Sequence, residues 1–166
     1  MNSTQSLQKM SLISLCAAAV TLVMQACGGG AVAASTTDPD PMVGVWDSTV
    51  TVKDCMSGAV LATFRGLGAV HQGGTWTSVN SNPPTSAGPT LGTWKNEGNG
   101  SYTTALVFLR FNPDLTPAGY QKAKSTRTLA ADGNSYASVI TRQTLDMAGN
   151  VLSQGCASET ATRVSW

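Results

Sequence analysis

From residue 43 onward, apolar and polar positions alternate in short runs. Each run is closed by glycine, asparagine, aspartate or proline, and none keeps a 3.6-residue apolar period. That pattern predicts strands. The first spans about Val45 to Cys55, where Trp46, Val50 and Val52 share one face by two-residue alternation, and Met56-Ser57-Gly58 turns it. A second, about Ala59 to His71, ends at Gln72-Gly73-Gly74, and a third, about Thr75 to Asn80, runs into the loop ending at Pro89. The fourth starts near Leu91, carries Trp94 and turns at Asn96 to Gly100. The fifth, about Tyr102 to Phe111, is the most hydrophobic and stops at Asn112-Pro113-Asp114. The sixth, about Gly119 to Leu129, meets Ala131-Asp132-Gly133-Asn134, a hairpin signal because glycine takes a positive φ without steric cost. The seventh runs from about Tyr136 to Met147, and the eighth from Val151 to Val164 after Ala148-Gly149-Asn150.

Short connections make successive strands antiparallel, and eight such strands remove their exposed edges by closing into an up-and-down barrel. An all-β, eight-stranded antiparallel barrel is therefore expected over residues 43 to 166, with a β-sandwich as the alternative. At this strand number the interior is either filled by side chains or wide enough for one small ligand. Trp46, Phe64, Phe108, Tyr120 and Tyr136 are the aromatic candidates to line such a space. Phe64 shares a face with Val60, Ala62 and Val70, and Phe108 with Tyr102 and Leu106; on the fifth strand the opposite face, Ala105, Val107, Leu109 and Phe111, is equally apolar. The sixth strand carries Lys122, Lys124 and Arg127. Either it is a solvent-facing strand, or one of these cations, with Lys122 the candidate, turns inward to receive an anionic head group.

Ahead of the strands, Lys9 precedes an apolar run, Met10 to Met24, of h-region length and too short to span a bilayer. Leu22-Val23-Met24-Gln25-Ala26-Cys27 resembles the bacterial lipobox, which implies a signal peptide over residues 1 to 26, lipid on Cys27 and a Gly/Ala/Ser/Thr/Pro tether over residues 27 to 42. An ordinary secretory signal cut after Ala33 or Ala34 is the other reading. With Cys16 removed in the signal and Cys27 lipidated, Cys55 and Cys156 are left in a compartment that permits disulfides and are expected to pair, two buried thiols being the alternative. The lipobox resemblance implies a place in a bacterial cell envelope, and Gly28 rather than aspartate after the cysteine favours the outer membrane, facing the periplasm or the surface.

Loss of Lys9 with the signal leaves nine basic and nine acidic residues and no basic stripe, which argues against nucleic acid as a partner. The single histidine, His71, sits beside a turn. One histidine without free cysteines excludes the common His/Cys zinc sets within a chain, so neither metal nor cofactor is assigned. No Gly-x-Ser-x-Gly elbow supports a hydrolase. Asp47, Asp54, Asp146 and Glu159 are read as groups on solvated faces rather than a catalytic pair, and no catalytic residue is assigned.

Gly44-Val45-Trp46 on the first strand resembles the Gly-x-Trp that opens lipocalin and wider calycin barrels, and Arg163 matches the basic residue packed on that tryptophan. The resemblance implies a calycin-like barrel, Arg163 stacked on Trp46 and a small apolar or amphipathic ligand within. Two other functions stay open: a filled barrel that contacts envelope partners or inhibits a hydrolase through loops such as Asn82 to Pro89, and a barrel-mouth isomerase or cyclase.

Overall fold

The computed structural model describes residues 38–84 and 86–165; the proposed signal segment and Cys27 lie outside the described residues. Eight strands form among them: β1 (Gly44–Lys53), β2 (Val60–His71), β3 (Thr75–Asn80), β4 (Thr90–Gly98), β5 (Ser101–Phe111), β6 (Pro117–Leu129), β7 (Ser135–Leu145) and β8 (Val151–Arg163). Each pairs antiparallel with its neighbour, and β1 pairs with β8, so the sheet closes into a barrel in sequence order. The expected barrel is thus present, and the sandwich is not. Outward strand positions are largely Thr49, Thr51, Thr63, Thr77, Thr93, Thr103, Lys122, Lys124, Thr126 and Thr128, opposite in phase to the core positions.

Cys55 follows β1 and Cys156 lies in β8 opposite Lys53, which brings the two into a disulfide across the closing seam. The bond joins positions 101 residues apart.

One end of the barrel is packed. Trp46, Val70, Trp76, Tyr102, Tyr136 and Ala161 bury there, with Trp94, Leu106 and Leu129 against them. Met42 is 0% exposed and belongs to this cluster, and its carbonyl accepts a bond from Trp46 Nε1 at 3.0 Å. The expected tether boundary at residue 42 is therefore moved: Asp40 and Met42 are part of the folded unit. Asp40 takes hydrogen bonds from Tyr102 Oη (2.9 Å) and Asn96 Nδ2 (2.7 Å), which fastens the entering chain to β4 and β5.

Arg163 closes the same end. Its Cζ lies 4.3 Å over the Trp46 ring, as the Gly-x-Trp resemblance implied, and the guanidinium donates to the carbonyls of Pro41, Val43 and Gly133. Gly44 makes this possible, because its φ of 145° suits glycine and a Cβ there would collide with Arg163 Nη1.

Burial above all, and then the hydrogen bond and negative charge of Asp40, push the Tyr102 phenol up to about 12. A folded-state pKa above the unfolded value of 10.0 means the native state keeps a proton that the unfolded chain releases. This contribution is complete below about pH 10 and fades as pH rises towards 12. Urea titrations at stepped pH should show that fall in the wild type and a flatter profile in Tyr102→Phe. Parallel profiles would remove Tyr102 as its source.

Candidate functional site

Whether an eight-stranded barrel is hollow depends on the volume of its inward side chains. Around its interior this chain supplies small ones: Ser48 on β1, Gly66 and Gly68 on β2, Ser78 on β3, Thr90 on β4, Ser125 on β6 and Ala157 on β8. What remains is a cavity of about 550 Å³ above the packed end. Leu61, Asn82, Ser86 and Ala87 line it at the opposite end, the mouth.

The walls differ in character. Val50, Val52, Phe64, Phe108 and Ile140 are apolar, whereas Arg110, Gln121, Arg142 and Thr144 carry polar groups on β5 to β7. Gln121 is held in place, donating to the Gln143 carbonyl at 3.0 Å and accepting from Thr144 Oγ1 at 3.1 Å. At the floor, Arg127 is 3% exposed, with its Cζ 4.5 Å from the Trp76 ring centroid and 4.8 Å from that of Tyr136. Its Nη2 is 3.6 Å from Glu159 Oε2. Burial raises the Tyr136 pKa most strongly; the Arg127 charge opposes that rise and Glu159 adds to it, so the phenol stays neutral near pH 7.

Four buried polar atoms here have no hydrogen-bond partner among the described residues: Trp76 Nε1, Arg127 Nε, Ser138 Oγ and Arg142 Nε. The Arg142 guanidinium lies against Gly155, where a Cβ would stand 2.7 Å from Nε and 2.9 Å from Cζ. Only a residue without a side chain leaves it that place. Among the described residues no group of three His, Cys, Asp or Glu side chains could hold a metal ion.

No protein-family model, curated protein or solved structure matches this chain. Its function has to be read from the cavity.

Trp46, Phe64, Phe108 and Tyr136 do line that cavity, as the alternation in their strands suggested. Tyr120 and Lys122 do not. On β6 the inward positions are Gln121, Ala123, Ser125 and Arg127, so the residues between them point outward, and of the strand's three cations it is buried Arg127 that enters the interior. Glu159 is also corrected: it is 8% exposed inside the barrel, not on a solvated face. Asp47, by contrast, pairs on the outside with Arg65, whose hydrogen bond holds its carboxyl below the usual range. His71 is exposed beside its turn, 3.3 Å from Thr77 Oγ1.

Arg110, Arg142, Trp76 and Glu159 were not singled out as interior groups. The signal existed for two of them. Arg163 stacked on Trp46 sets the inward phase of β8, which includes Glu159, and inward Tyr136 sets the phase that includes Arg142.

Proposed function

We propose that this protein is a lipid-anchored envelope protein that holds one small amphipathic ligand inside its barrel. The observation that carries the reading is the hollow interior. At about 550 Å³ it falls within the range of small-molecule sites, and it combines an apolar wall with a few convergent polar groups. That volume favours ligand binding over action through surface loops alone. The anchor rests on Cys27, placed at the end of a signal-like apolar run.

A fluorescent long-chain probe added to the full-length protein should quench the emission of Trp46 and Trp76, which line or floor the cavity. Phe108→Arg, which sets a charge into the apolar wall, should weaken that binding by about tenfold or more without unfolding the barrel. If neither charged nor neutral probes bind, the reading fails. For the anchor, Cys27→Ser should move the protein out of the membrane fraction, because two or more acyl chains hold far more firmly than one. Unchanged partitioning of this variant would count against lipidation.

A further inference from the structure

The cavity lining brings in three arginines, Arg110, Arg127 and Arg142, and one carboxylate, Glu159; Lys124 also borders it from an outward position of β6. Glu159 is matched with Arg127. That leaves the guanidinium groups of Arg110 and Arg142 with no carboxylate within salt-bridge distance among the described residues. A cation drawn partly out of water calls for an opposite charge, or it forfeits solvation without return.

The donors point the same way. The guanidinium groups of Arg110, Arg127 and Arg142 line the cavity and can only donate. A ligand rich in acceptor oxygens answers them; a cationic or wholly apolar ligand would leave them unmet.

Position adds the geometry. Arg127 faces Ser138 across the β6–β7 ladder, and Arg142 lies four residues further along β7, towards the mouth. Between them stand the small Ala123 and Ser125 on β6 and the apolar Ile140 on β7, and Gly155 on β8 gives room to the Arg142 guanidinium. Val50, Val52 and Phe64, which also line the cavity, come from β1 and β2.

Resting on the reading that the barrel holds an amphiphile, we propose that its ligand is anionic, with a carboxylate or phosphate head seated on the β6–β7 wall between Arg127 and Arg142 and its apolar body against Val50, Val52 and Phe64. Arg142 supplies the charge that the head neutralises. Arg127, already matched by Glu159, supplies a directed N–H.

Dansyl-labelled undecanoic acid and its uncharged methyl ester, titrated into the full-length protein, test this directly. The acid should bind about ten- to a hundredfold more tightly than the ester, the range for one or more charge-assisted hydrogen bonds. Arg142→Met should bring the acid down to the affinity of the ester while leaving ester binding unchanged, and Arg142→Lys should retain part of the preference. Competition by laurate against dodecyl phosphate then tells which head is taken. Equal affinity of acid and ester in the wild type would overturn the anionic assignment while leaving the amphiphile reading intact, and it needs no variant. A preference that survives in a folded Arg142→Met protein would overturn the placement. Binding of neither probe would remove both.

Discussion

Arg127→Met is expected to lower the unfolding free energy by about 3–5 kcal/mol, the cost typical of removing one partner from a buried ion pair. The reason lies with what is left behind. Glu159, 8% exposed, loses the cation 3.6 Å away, and the aromatic faces of Trp76 and Tyr136 lose the guanidinium between them. The double variant Arg127→Met/Glu159→Leu should recover most of that loss, because a well-packed apolar pair of similar volume often matches or exceeds a buried ion pair in stability. Urea midpoints of the three proteins measure both effects. A single variant within about 0.5 kcal/mol of wild type would mean that Glu159 finds another partner or reaches water. If the double variant is stable, the charges are not needed for folding, and their retention in the barrel is then consistent with a role in binding.

The second large effect belongs to the seam. Cys55→Ala/Cys156→Ala, which removes the disulfide without leaving a lone thiol, should cost about 2–5 kcal/mol. The chain-entropy account gives about 4.7 kcal/mol for a loop of about 100 residues, and any ordering left in the unfolded chain reduces it. Because the bond ties the first strand to the last, the variant should also exchange amide hydrogens faster along the β1–β8 ladder, Trp46 to Lys53 and Cys156 to Arg163, than along β5–β6. Uniform loss of protection around the barrel would show that the whole sheet opens as one unit.

Much of this architecture can be read from the chain because turn chemistry and two-residue alternation are local signals. The glycine- and asparagine-bearing turns marked all eight strands to within about two residues at most ends. β5 shows where alternation stops helping. Both of its faces are apolar, and only pairing with Gly92 and Trp94 on one side and with Ala123 and Arg127 on the other sets Tyr102, Leu106 and Phe108 inward. β6 shows a different limit. Lys122 and Arg127 are equally cationic, and choosing between them requires the phase of the strand, which composition does not contain. The cavity itself depends on small residues from six strands meeting around one space, a long-range coincidence that no single segment announces. Met42 escaped for a related reason: one apolar residue after Pro39 and Pro41 has no period, and its burial comes from the tryptophan it covers.

The chain enters the barrel at its packed end, where Asp40 and Met42 are fastened by Tyr102, Asn96 and Trp46. Force applied to the chain at residue 38 is therefore borne first by these contacts at the packed end, and not by the walls of the cavity.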